Sequence, residues 1–217
     1  MTSWNGLLRK EWVLLRYSLF AFVVIFIVLA VSSFAPAAVG GIVDPDELAH
    51  MFSTILIGFA LALFLHSLQV DLKQPDLWLH SPASIWKLLF VKVGMVLLLM
   101  VGFVLIWGVL GVFAYFLGGI AGIIPGVLTL QKLFANTIFM ITAGLLIWVV
   151  YKTLEIRHGW LAVLLTLIPI SFGVIIWGFL IVVMKTMDPL ASTLIFIAVS
   201  IVLFVSGAIL LEKKVRY

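Results

Sequence analysis

Residues able to do chemistry are sparse in this chain and fall between apolar runs. Asp44, Asp46, Glu47 and His50 stand together with no Lys or Arg nearby. Carboxylates beside an imidazole can bind a cation, but the same residues suit a solvated loop in which Asp44-Pro45 opens a helical turn. Glu155 and His158 are three apart, yet a salt-bridged or head-group-facing segment is the plainer reading than catalysis. A lone His66 near the end of an apolar run is read as structural. Cysteine is absent, which removes disulfides, thiolate zinc sites, Fe–S clusters and cysteine nucleophiles. No G-x-x-x-x-G-K-[ST], H-E-x-x-H or G-x-S-x-G occurs, so the phosphate-cradling loop, the zinc-protease helix and the nucleophile elbow are all missing. The chain is therefore expected not to be an enzyme by itself and to hold no cofactor or metal. If ATP drives it, another polypeptide hydrolyses that ATP.

The elements that must position these residues are apolar. Hydrophobic residues make up 65% of the 217 and charged residues 10%, against about half and about a quarter in a soluble domain. The mean hydropathy of +1.34 points the same way. About 20 apolar residues cross the hydrocarbon core as a helix, and six runs of that kind occur: 17–35, 51–70, 93–117, 133–150, 160–184 and 190–211. They are longer than barrel strands and apolar on every side. A helix also satisfies its own backbone where lipid cannot. The expected fold is an all-α membrane protein of six transmembrane helices forming a single transmembrane domain over 1–217. A signal peptide cleaved near Ala35-Pro36-Ala37 is disfavoured by the length of the first run and by the proline.

Eleven of the thirteen basic residues fall in alternate segments: Arg9, Lys10 and Arg16; Lys73, Lys87 and Lys92; Lys152 and Arg157; Lys213, Lys214 and Arg216. Only Lys132 and Lys185 fall in the others. The positive-inside rule then puts both termini in the cytoplasm. The same distribution excludes the clustered basic face of a nucleic-acid binder. The expected location is the cell membrane, multi-pass, as in a bacterial plasma membrane.

The connecting segments differ in content. Residues 1–16 place Leu7, Leu8, Trp12 and Leu15 near one helical face and let Arg9, Lys10 and Arg16 turn toward head groups, as in a short amphipathic helix at the inner interface. Residues 71–92 carry Pro75 and Pro82 around Leu77, Trp78 and Leu79. Asp76 or Ser81 could cap a short helix whose first position suits Pro82. Such a helix could dock into a partner's groove; a membrane-surface turn anchored by Trp78 and Trp86 accounts for it equally well. Residues 118–132 are read as a flexible or partly re-entrant outer loop, with Gly118, Gly122 and Gly126 interrupted by Pro125. Residues 151–159 are read as a short inside turn.

The runs contain no Asp, Glu, Lys or Arg away from their ends, which argues against a proton-coupled carrier or a voltage sensor. Their polar residues are mild ones such as Ser53, Thr137, Thr142, Thr166 and Ser171. Most such residues bond across helices. Asn136 is the first candidate for a pathway role.

The whole pattern resembles the membrane subunit of an ABC-2-type ABC transporter. Leu7-Leu8-Arg9-Lys10-Glu11-Trp12 looks like that family's opening "elbow" helix. Leu79-His80-Ser81-Pro82-Ala83-Ser84, with Lys87 and Lys92 following, looks like the segment between its second and third spans. Leu211-Glu212-Lys213-Lys214-Val215 resembles its basic tail. The short fifth outer turn departs from relatives that carry re-entrant helices there. The resemblance implies two six-span subunits, identical or paired with a similar permease, around a central pathway. It also implies two cytoplasmic ATPases below them that bind ATP-Mg. The coupling helix would comprise Asp76, Leu77, Trp78, Leu79, His80, Ser81, Pro82 and Ser84, and the elbow Leu8, Arg9, Lys10, Glu11 and Trp12. The apolar runs favour export of a hydrophobic or amphipathic cargo. The alternatives are a ligand-binding subunit and a regulatory or assembly membrane protein without transport of its own.

Overall fold

A computed structural model describes residues 4–38, 45–72, 84–118, 127–159, 161–167, 170–171 and 189–215. All regular structure among them is helical. The long elements are α1 (Trp4–Ala38), α2 (Pro45–Leu72), α3 (Ile85–Gly118), α4 (Val127–His158) and α5 (Pro189–Val215). Five of the six apolar runs lie wholly inside these helices. Of the run at 160–184, only 161–167 and 170–171 are described. Among the described residues, five helices are long and apolar enough to cross a membrane. Their outer faces carry bare apolar side chains such as Phe20, Leu98, Leu105, Leu194 and Val202, which suits lipid and not water.

Local chemistry sets several helix ends. Pro45 and Pro189 occupy first positions, where the missing N–H costs nothing. Ser84 caps α3: its Oγ accepts the Lys87 backbone N–H at 3.3 Å, and its carbonyl accepts that of Leu88 at 3.1 Å. Gly159 ends α4 with φ +55°, a left-handed conformation that glycine adopts without strain.

Two sequence expectations meet a different arrangement. Residues 151–158 are the last two turns of α4 and not an inside turn; Lys152 pairs with Glu155 along the helix. Residues 4–16 do not form a separate helix before the first apolar run, because α1 continues through both without a break over 35 residues. At 1.5 Å per residue it is about 52 Å long, some 20 Å more than a hydrocarbon core of about 30 Å.

The chain divides into two compact units, Met1–Leu133 and Phe134–Tyr217. In the first, α1, α2 and α3 pack pairwise. Phe26 touches Phe52 at 5.6 Å and Phe103 at 5.5 Å between ring centroids, and Phe52 touches Trp107 at 5.7 Å. Phe59 joins them through Phe22 at 4.8 Å and Phe103 at 6.3 Å. These contacts run α2 antiparallel to both neighbours. In the second unit, Phe139 of α4 meets Phe196 of α5 edge-on at 5.8 Å. Further along, Gly207 lets α5 close on Leu145, the usual service of a small residue between membrane helices.

Candidate functional site

The three helices of the first unit also share a polar centre, with Glu11 and Lys92 about 11–15 residues, or roughly 16–22 Å, along α1 and α3 from the aromatic layer. It lies where α1 begins, α2 ends and α3 begins. Glu11 and Lys10 come from α1, Ser67 and Asp71 from α2, and Lys92 from α3. Glu11, Ser67, Asp71 and Lys92 are 3%, 1%, 4% and 0% exposed.

Each helix delivers its group by ordinary periodicity. Leu7, Glu11 and Leu15 repeat every four residues, and all three are buried. Ser67 and Asp71 are likewise four apart, beside buried Phe64 and Leu68. Lys92 continues the buried line of Leu88 and Leu89 toward Val96 and Leu99. Just outward, Leu7 packs with Leu88 and Val91.

The Lys92 ammonium is enclosed by acceptors. It donates to Glu11 Oε1 at 2.8 Å, to the Ser67 carbonyl at 3.2 Å and to Ser67 Oγ. The Ser67 hydroxyl in turn donates to Glu11 Oε2 at 2.7 Å. Asp71 is shared between two cations. Its Oδ1 accepts from Lys10 Nζ at 2.8 Å, and its Oδ2 lies 2.8 Å from Lys92 Nζ. That second contact is a buried ion pair. Two carboxylates face two ammonium groups, so the centre is neutral as a whole. Charges held away from water are tolerated when paired and hydrogen-bonded in this way.

Sequence reasoning did not foresee this centre. It assigned Lys92 and Asp71 to a connecting segment and Lys10 to the head groups, and it read the spans as free of charge. The helices run beyond their apolar cores, so charges at the run ends turn inward and meet. The signal in the sequence was a charged residue at the same period as buried leucines on each helix.

The other expected residues are placed as follows. Leu8, Arg9 and Trp12 are exposed on α1. Ser84 is the cap of α3. Asp76, Leu77, Trp78, Leu79, His80, Ser81 and Pro82 lie outside the described residues. Asn136 is half-buried on α4 in the second unit, between buried Ala135 and Thr137. Among the residues described, no group of three His, Cys, Asp or Glu gathers as a metal site.

Long apolar helices with a lipid-suited surface and a paired polar centre define the chain as a multi-pass helical membrane protein. Comparison with protein-family models, with curated proteins and with solved structures finds no match at any of the three levels.

Proposed function

We propose that this chain is the membrane-spanning subunit of an ATP-driven ABC exporter, energised by separate ATPase subunits. The observation that carries the reading is the polar centre itself. The stretch from Asp76 to Ser84, proposed as the ATPase-docking coupling helix, is flanked by Asp71 and Lys92. Those two residues belong to helices pinned to each other and to α1. A displacement applied to that stretch would therefore move α2, α3 and the start of α1 together, as a transporter needs when its ATPases close.

The charge distribution supports cytoplasmic termini and a cytoplasmic docking segment. The absence of a Walker loop in the sequence supports hydrolysis in a partner. The first turns of α1 take the part of the elbow. A second permease, the same or similar, completes the pathway, and the apolar helices suit a hydrophobic or amphipathic cargo.

The test is a mild-detergent pull-down of the tagged protein from its native membranes, with mass spectrometry of what accompanies it. A stoichiometric soluble protein carrying a Walker loop is the expected result. Recovery of this chain alone, from membranes where known complexes survive, would refute the exporter reading and favour a ligand-binding or regulatory protein.

A further inference from the structure

Among the described residues, the polar centre pairs Glu11 and Asp71 with Lys10 and Lys92, and the opposite side of α1 carries arginines without a carboxylate. At 100° per residue, Arg9, Val13, Arg16 and Phe20 form one stripe facing away from Leu7, Glu11 and Leu15, with Trp12 at its edge. Both arginines of that stripe are exposed. Among the described residues, Arg9 has no acidic partner and Arg16 meets only Tyr17. The Arg16 guanidinium lies 4.6 Å from the Tyr17 ring centroid and donates to its hydroxyl at 2.9 Å. Tyr17 and Phe20 beyond it are 73% and 72% exposed.

The stripe thus grades from cationic to apolar along the helix. Arg9 and Arg16 are about 10 Å apart along the axis. Charge-free sequence begins at Tyr17, and Trp12 and Tyr17 are of the type that settles at the head-group level. Guanidinium groups pair with phosphate through two parallel hydrogen bonds. A surface guanidinium beside lipid, with no acidic partner among the described residues, is placed to take an anion from the lipid head groups.

We propose that the outward stripe of α1 is a binding site for an acidic phospholipid. Arg9 and Arg16 take the phosphate of the head group, with Tyr17 as the shelf that orients Arg16, and Val13 and Phe20 lie along the upper acyl chain. The occupant is a lipid of the leaflet at the N-terminal end of α1. The site rests on the membrane architecture alone and needs no ATPase partner.

The test uses the purified full chain in zwitterionic micelles, titrated with phosphatidylglycerol or with phosphatidylcholine. Retained lipid is counted by native mass spectrometry, and thermal stability is followed in parallel. Phosphatidylglycerol is expected to bind and to raise the unfolding temperature, while phosphatidylcholine and inorganic phosphate do neither. A surface arginine near acidic lipid is worth about fivefold, so Arg9→Gln with Arg16→Gln should weaken binding about 30-fold. Tyr17→Phe should weaken it less. Equal retention of both lipids by the unaltered chain would overturn the proposal, and so would full phosphatidylglycerol retention by the double variant. A response to inorganic phosphate equal to that of the lipid would replace the lipid site with a simple anion site. Because the unaltered chain supplies the first comparison, poor folding of the variants leaves the decision intact. ATPase recovery in the pull-down is scored separately, so either reading can fail alone.

Discussion

Lys92→Met removes the one ammonium that touches both buried carboxylates, while keeping most of the side-chain volume. Glu11 Oε1 loses a charge-assisted hydrogen bond of 2.8 Å, worth about 1.5–3 kcal/mol. Among the described residues, Glu11 then keeps the Ser67 hydroxyl alone. Asp71 keeps Lys10 on Oδ1 but loses the cation that, among the described residues, lies beside Oδ2. Leaving a buried charge without its partner brings the expected loss to about 3–5 kcal/mol. The measurement is reversible unfolding of the micelle-held protein by titration with a denaturing detergent, followed by helical circular dichroism. A double-mutant cycle sharpens it. Glu11→Gln should couple to Lys92→Met by about 1–3 kcal/mol, because each substitution removes the other's partner. Asp71→Asn should couple to Lys92→Met more weakly, since Asp71 is shared with a second cation, Lys10. A loss below about 1 kcal/mol for Lys92→Met, or additive effects with Glu11→Gln, would refute the buried clasp.

Three further outcomes are expected. A Cβ at Gly207 would stand 3.1 Å from Leu145 Cγ and 3.2 Å from its Cδ2; Gly207→Ala should therefore cost about 1–3 kcal/mol in the same unfolding assay, and Leu145→Ala should cost less in that background than in the parent. Ser84→Ala removes the α3 cap and should cost about 1 kcal/mol, while Ser84→Asp should hold stability near the parent value. Leu77→Ala with Trp78→Ala should lower ATPase recovery in the pull-down without reducing membrane insertion; unchanged recovery would remove the coupling-helix assignment.

The buried clasp also bears on what such a centre is for. Replacing a buried ion group by well-packed apolar residues is often neutral or stabilising. A chain that needed only stability at this position could use leucine on all three helices. Leucines would pack in several registers, whereas Lys92 reaches Glu11 and both Ser67 oxygens in one. A combined Glu11→Leu, Asp71→Leu, Lys92→Met variant, with Lys10→Gln to preserve neutrality, is therefore expected to insert and stay folded. Its α2–α3 pairing should be less uniquely defined, read as broadened spin-label distances between the two helices.

Much of the fold was legible in order along the chain. Residues 17–35, 51–70, 93–117, 133–150 and 190–211 are all helical, because a helix lets a long apolar run in lipid satisfy its own backbone. The caps were partly legible: Pro45 opening α2 follows from its fixed φ and missing donor. Helix length was less so. Residues 4–16 and 151–158 are polar enough to read as separate pieces, yet they continue their helices because nothing in them breaks one. The polar centre was not legible. Lys92 is 81 residues from Glu11 and 25 from Ser67, and a charge at the end of an apolar run reads the same whether it faces water or a partner. Hydropathy is a local sum over neighbouring residues, so the sequence by itself determined which segments enter the membrane. The outward turn of Arg9 and Arg16 was legible in the spacing of residues 1–16, but which charges face one another depends on the register and rotation of packed helices, and only the tertiary structure decided that Lys10, Glu11, Ser67, Asp71 and Lys92 share one interior.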